Sequence, residues 1–188
     1  SYNQRFFAFR FQSDVTHDRN GWRVYSFSNE IVTRMGAPSN AWKITNANYD
    51  FDLCRTYPRY VCVPCDVDDH ELQKAANFRK ENQFPVLTWY NCVTDVTISR
   101  CSEPKDRMNL QDQRCSEDEK LFAEYVRKKD CVDPSKKTPY YVIHVATHST
   151  SLVTRIRQSY GEICENVGIS FLGLPSFGTY RDTFRKMV

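Results

Sequence analysis

The hydrophobic positions of this chain change period several times. Lys43 to Phe51 and Arg59 to Val63 are rich in aromatic and β-branched residues and predict strands. Asp68 followed by Glu71 has the spacing of a capping box and opens a predicted helix from Asp69 to about Lys80, with Leu72, Ala75, Ala76 and Arg79 on one side. Pro85 to Tyr90 and Val96 to Arg100 predict two further strands, paired as a hairpin. Ser116 and Glu119 read as a second capping box. The helix they open runs to about Lys129, with Leu121, Phe122, Tyr125 and Val126 turned inward and basic residues in its last turn.

Tyr140 to Ala146 is a strong β run. From Ser151 to Asn166 the apolar residues Leu152, Ile156, Tyr160 and Ile163, continued by Val167, keep helical spacing, and Gly168 fits the position just past the end of that helix. Ile169 to Leu174 is another buried-strand pattern. Both this run and Tyr141 to Val145 are apolar on alternate and intervening positions alike, as in sheets covered on both faces. Strands alternating with helices predict an α/β fold with a partly parallel sheet.

The pattern reads as interrupted at both ends. The chain begins at Ser1 and enters Phe6-Phe7-Ala8-Phe9 at once. Thr179 and Asp182 have cap and third-position spacing, and Phe184 and Met187 begin an apolar stripe within a turn or two of Val188. The expectation is an incomplete folding unit that exposes apolar sheet surface.

Composition narrows the class. Hydrophobic residues make up 40% of the 188 and aromatic residues 14%, enough to build a core and too much for a disordered chain. The net charge of +3 is too slight to predict nucleic-acid binding, and it does not oppose contact with an anionic membrane. The eight cysteines sit in a chain with no apolar leader pattern, no Asn-x-Ser/Thr site and no apolar run approaching the ~20 residues that span a bilayer. This combination predicts a cytoplasmic protein with reduced thiols.

Three groups of residues invite a chemical reading. Cys101 to Arg107 has the Cys-x5-Arg spacing of a cysteine-dependent phosphatase, which needs a thiolate, a ring of backbone N–H groups and an Arg clamp. Pro104 removes one of those N–H groups, no Gly lets the chain curl, and Met108 to Gln113 do not begin a helix aimed at the anion. Cys62-Val63-Pro64-Cys65 has the spacing of a redox pair or half a zinc site, but no second half lies at usable spacing. His144 and His148 are no substitute: four residues apart along a strand is ~13 Å. Buried cysteines at a strand end are the plainer reading. The basic residues Arg127, Lys128, Lys129, Lys136 and Lys137 suit either a solvated helix end or contact with an anionic membrane.

An ordered series of segments resembles the myotubularin family. Asn20-Gly21-Trp22-Arg23-Val24-Tyr25 is similar to the start of its phosphatase domain, followed by Arg34-Met35-Gly36 and Trp42-Lys43-Ile44. Asp52-Leu53-Cys54-Arg55-Thr56-Tyr57-Pro58, Val63-Pro64, Ala76-Asn77-Phe78-Arg79 and Phe84-Pro85-Val86-Leu87-Thr88-Trp89 continue it. Ile98-Ser99-Arg100-Cys101-Ser102-Glu103-Pro104 and Asp118-Glu119-Lys120 close the series. It is strong over residues 5–122 and weak over 123–188, where Tyr141 to Thr147 and Phe171 to Ser176 have lost the Arg and Asn residues expected of the family, and Arg155 to Glu162 replace its glycine run with only Tyr160 and Glu162 echoing it.

The resemblance implies a cysteine-phosphatase-like α/β fold for residues 1–188, read as the N-terminal part of one phosphatase domain, incomplete at its C-terminal end. The family's glycine-bearing Cys-x5-Arg loop has no counterpart here, and the match sets Cys101 at a structural position upstream of it. The expectation is therefore that catalytic, cofactor-binding and metal-ligating residues are all absent from the chain. Three functional readings follow: a non-catalytic interaction module partnering another myotubularin as a homo- or hetero-oligomer; the front of an active phosphatidylinositol 3-phosphate or 3,5-bisphosphate 3-phosphatase whose loop lies beyond Val188; or an enzyme or metal protein using Cys101 or the Cys62/Cys65 pair. For the first two, the resemblance implies peripheral contact with phosphoinositide membranes, including endosomal ones.

Overall fold

The computed structural model describes residues 26–105, 114–130, 140–145, 153–154, 156–157, 167–174 and 177–187. Within these the strands are β1 (Trp42–Thr45), β2 (Val61–Pro64), β3 (Val86–Asn91), β4 (Val96–Arg100), β5 (Tyr140–His144) and β6 (Val167–Phe171). The helices are α1 (Asp69–Phe78), α2 (Ser116–Asp130) and α3 (Phe177–Met187), with a π-helical segment at Asn29–Arg34 and a 3-10 turn at Lys80–Asn82. The strands form three two-stranded sheets. β1 pairs with β2 and β3 with β4, both antiparallel, whereas β5 and β6 are parallel. The chain is thus a mixed α/β structure with small sheets.

The core gathers where β2, α1, α2 and the hairpin meet. β2 is buried at every position, as its run of Val and Cys between two covering layers requires. α1 turns Leu72, Ala75 and Ala76 inward at 0% exposure, on the stripe that its apolar spacing defines. The Ala residues let α2 approach closely, and Leu121 and Tyr125 of α2 complete the contact. Tyr125 leans on the Trp42 ring at 5.2 Å, and its hydroxyl donates to the Pro85 carbonyl at 3.2 Å.

The start of α1 forms as its sequence predicts. Asp68 accepts from the Glu71 N–H at 2.8 Å and Glu71 accepts from the Asp68 N–H at 2.8 Å. The helix ends at Phe78 because Arg79 turns extended, with φ −98° and ψ 150°. The hairpin also forms as predicted, with a register shift between Leu87 and Trp89.

Five expectations need correction. β1 stops at Thr45 instead of running to Phe51, because the side chain of Asn48 gathers the following loop into turns. Ser116 and Glu119 form no capping box. Ser116 is already helical, the Cys115 carbonyl accepts the Glu119 N–H at 2.9 Å, and Arg114 holds the Glu119 carboxylate by two bonds of 2.7 and 2.6 Å. Gly168 does not end a helix; it lies within β6 opposite Tyr141, and Val167 belongs to the same strand. β5 and β6 are shorter than their apolar runs: Val145, Leu172 and Leu174 lie past their ends, although Leu174 N–H still donates to the Val145 carbonyl at 2.9 Å. Finally, α3 begins at Phe177, so Thr179 sits inside the helix rather than at its cap.

The residues predicted helical from Ser151 to Asn166 lie mostly outside the described set. Val153, Thr154, Ile156 and Arg157 are helical, and Ile156 is buried. The segment from Asn20 to Tyr25 lies wholly outside it. The expected open apolar surface is present on β5 and the residues after the pair: Tyr141, Ile143, Val145, Leu172 and Leu174 are each more than half exposed.

Candidate functional site

The segment after β4 is where the sequence places its phosphatase-like spacing, and its backbone is docked along the turn that follows α1. Ser102 N–H donates to the Gln83 carbonyl at 2.9 Å, and Lys105 N–H donates to the Phe78 carbonyl at 2.9 Å. In return the Glu103 carbonyl accepts the Lys80 N–H at 3.0 Å, and Pro104 bridges Arg79. These N–H groups face inward to carbonyls, not around a hollow that could hold an anion. Cys101 is exposed at the start of this segment, and Arg107 lies outside the described residues. Glu103 is held by Lys80 and approached by His144 Nε2 at 3.5 Å. That contact joins β5 to the segment. His148 is outside the described residues.

Beneath this segment lies a feature that motif reading misses. Arg79 is 2% exposed and Asp118 is fully buried. The guanidinium donates from Nε to Asp118 Oδ1 at 2.6 Å, from Nη2 to Oδ2 at 3.0 Å and from Nη1 to the Ser102 carbonyl at 2.6 Å. One planar fork therefore ties the end of α1, the first turn of α2 and the segment after β4. The signal available in sequence was the appearance of Phe78-Arg79 and Asp118-Glu119-Lys120 in one ordered series; their mutual contact was not legible. Lys74 to Glu117 at 2.7 Å and Lys120 to Glu71 at 2.6 Å flank the pair on the surface.

A second hub organises residues 46–60. Asn48 is buried, and its side-chain carbonyl accepts the Cys54 N–H at 2.8 Å. Its amide nitrogen reaches the carbonyls of Cys54, Tyr57 and Pro58 at 2.9, 3.3 and 2.9 Å. Tyr57 hydroxyl lies 3.0 Å from the Phe84 carbonyl and 3.2 Å from that of Arg100, and burial pushes its pKa well above the usual phenol range. Between the π-helical segment and the hairpin, Ile31, Met35, Val86, Trp89, Arg34 and Arg100 line part of a cleft of about 360 Å³.

The Cys62/Cys65 pair belongs to this core. Cys62 is buried in β2, and burial, reinforced by Cys65, pushes its thiol up to about 12. The thiol is therefore protonated at neutral pH and is no nucleophile. Cys65 Sγ donates to the Ser39 carbonyl at 3.2 Å. Of the basic cluster, Arg127, Lys128 and Lys129 lie on the last turns of α2, whereas Lys136 and Lys137 lie outside the described residues.

Comparison with known proteins places the chain in a family. The pattern of the myotubularin-like phosphatase domain matches residues 6–188. The chain is 30% identical over 191 aligned residues to phosphatidylinositol-3,5-bisphosphate 3-phosphatase MTMR2 of Bos taurus, covering 100% of this chain and 28% of that protein. It is 29% identical over 183 residues to the Mus musculus protein of the same name, covering 95% and 27%. Myotubularin of Xenopus tropicalis is 30% identical over 183 residues, covering 95% and 29%. The chain thus spans less than a third of the length of these curated relatives. The match extends through residues 123–188, where the motifs had faded, and the chain belongs to the myotubularin-like phosphatase domain family.

Proposed function

We propose that residues 1–188 are the N-terminal part of a cysteine-phosphatase-like domain that is catalytically inactive as it stands and acts as an interaction or regulatory partner in phosphoinositide metabolism. The observation that carries the first half is the backbone of residues 102–105. Its Ser102 and Lys105 N–H groups are committed to the carbonyls of Gln83 and Phe78, which leaves neither of them to cradle a phosphate and supports the inactive reading. The parallel β5–β6 pair supports the α/β phosphatase-like architecture, since parallel pairing belongs to covered sheets.

The partner in this reading is another myotubularin-like chain, or a second copy of this one. The exposed Tyr141, Ile143 and Val145 of the β5 region supply apolar surface for such an association. The setting is cytoplasmic, at the surface of endosomal membranes.

The similarity to phosphatidylinositol-3,5-bisphosphate 3-phosphatases favours a second reading, in which these residues are the front of an active 3-phosphatase acting on the 3,5-bisphosphate or on phosphatidylinositol 3-phosphate. Its nucleophile would belong to a loop elsewhere in the protein. Phosphate release from phosphatidylinositol 3-phosphate by the purified 188-residue chain tests the first reading. Background release is the expected result, and turnover abolished by Cys101→Ser overturns it.

A further inference from the structure

The loop between β1 and β2 carries an exposed aromatic surface built around one arginine. Arg59 lies over the Tyr49 ring at 4.8 Å and over the Phe51 ring at 5.1 Å, and Tyr60 meets Tyr49 edge-on at 6.0 Å. Tyr49 is 44% exposed, Phe51 37% and Tyr60 42%. Among the described residues the Arg59 N–H donors meet no hydrogen-bond or ion-pair acceptor.

This surface is held rigidly and against local preference. Asn48 pins the loop from within, and the N–H groups of Tyr49 and Phe51 donate to the carbonyls of Asn46 and Asn48 at 2.8 and 3.0 Å. Phe51 has φ +63°, in the left-handed region that an aromatic residue rarely enters. Burial in the core offers no explanation for this conformation, since the ring is in contact with solvent and with Arg59. Exposed rings around a cation that keeps its N–H edge free suit a surface that is apolar at one depth and phosphate-bearing at another.

We propose that the Tyr49–Phe51–Arg59–Tyr60 loop is a docking surface for the phospholipid interface, with the rings at headgroup level and the Arg59 guanidinium donating to a lipid phosphodiester. Aromatic residues prefer that depth, and a planar guanidinium matches phosphate oxygens with two N–H groups at once. The exposed side chains of Asp50 and Asp52 offset those of Arg55 and Arg59, so the loop has no net charge. Attraction therefore comes from the rings and the local phosphate contact, not from the field of an anionic leaflet. This inference rests on the reading that the protein works at phosphoinositide membranes, but its ligand is the bulk phospholipid and not the phosphoinositide headgroup.

Flotation of the 188-residue chain with vesicles of phosphatidylcholine alone tests it. The chain is expected to float, and Phe51→Gly and Arg59→Ala each to lower the bound fraction about fivefold or more. Phe51→Gly should melt no lower than the parent, because Gly accepts the positive φ, so loss of binding there cannot be ascribed to unfolding. Raising salt from about 50 to about 500 mM should leave binding within twofold. Ile143→Ser, on the β5 face, should not reduce it. Failure to float overturns the inference. So does undiminished binding of both loop variants, loss of binding in Ile143→Ser, or binding that needs phosphatidylinositol 3-phosphate and is reversed by salt. Phosphate release measured in parallel samples whose vesicles carry phosphatidylinositol 3-phosphate is independent of these outcomes: turnover would overturn the inactive reading and leave the loop inference standing.

Discussion

The Arg79 guanidinium and the Asp118 carboxylate meet in a two-bond fork, with Nε–Oδ1 at 2.6 Å and Nη2–Oδ2 at 3.0 Å, in a place from which water is excluded. Removing one partner leaves the other charge buried without its counter-ion. Arg79→Met alone, or Asp118→Leu alone, should destabilise the chain by about 3–5 kcal/mol. The double variant Arg79→Met/Asp118→Leu should recover much of that loss, because apolar groups of similar volume need no counter-charge. Urea denaturation of the three variants checks it; equal losses in the double and single variants would mean that the fork to Ser102 carries the effect.

Asn48→Ala should cost about 2–4 kcal/mol. The substitution leaves the Cys54 N–H and several carbonyls of the 46–60 loop without their buried partner. The loss should be read as a lower urea midpoint at unchanged slope, with quicker proteolysis confined to that loop.

Acid should weaken the surface contact between α1 and α2. The Lys74 ammonium holds the Glu117 carboxyl down to about 2, from an ordinary 4.5. A lowered folded-state pKa means that the contribution is present above pH ~4.5 and fades as pH falls toward ~2. The pair is at the surface, so the term should stay below ~1 kcal/mol and shrink with salt. Glu117→Gln should flatten the stability profile between those two pH values. A profile of unchanged steepness would assign the acid sensitivity to other carboxylates.

Cys62 should resist alkylation in the folded chain at pH 8. It is buried, and its thiol is pushed up to about 12, whereas Cys92 and Cys101 are exposed. Mass spectrometry after brief iodoacetamide treatment should find label on Cys92 and Cys101 before Cys62. Early labelling of Cys62 would show that β2 opens readily.

Apolar exposure at β5 should be detectable in solution. Tyr141, Ile143 and Val145 are 59%, 58% and 57% exposed. Ile143→Ser combined with Tyr141→Ser should reduce binding of a hydrophobic dye by about half or more and leave the thermal midpoint within a few degrees. Unchanged dye binding would place the accessible apolar surface elsewhere.

Much of the local structure was legible from short-range pattern. The Asp68–Glu71 cap, the inward stripe of Leu72, Ala75 and Ala76, and the hairpin from Val86 to Arg100 depend on residues a few positions apart, so chain order alone specifies them. Family membership was legible for the same reason, through an ordered series of short segments. What the pattern misjudged turned on competing partners that spacing alone does not reveal. Glu119 has cap spacing from Ser116, yet Arg114 takes its carboxylate. Gly168 has the spacing of a helix end, yet pairing with Tyr141 draws it into β6. Lys43 to Phe51 is β-prone throughout, yet the carbonyls that Asn48 finds at Tyr57 and Pro58 fold the second half into a loop.

The same distinction divides the sites. The sequence by itself determined the spacing at Cys101 and the absence of glycine around it. Only the tertiary structure decided where the Ser102 and Lys105 N–H groups point, since their acceptors at Gln83 and Phe78 lie about twenty or more residues earlier in the chain. It alone brought Arg79 to Asp118 across 39 positions and set Arg59 between Tyr49 and Phe51. Contacts of that kind depend on closing long loops around a common core, and their geometry exists only once the core has formed.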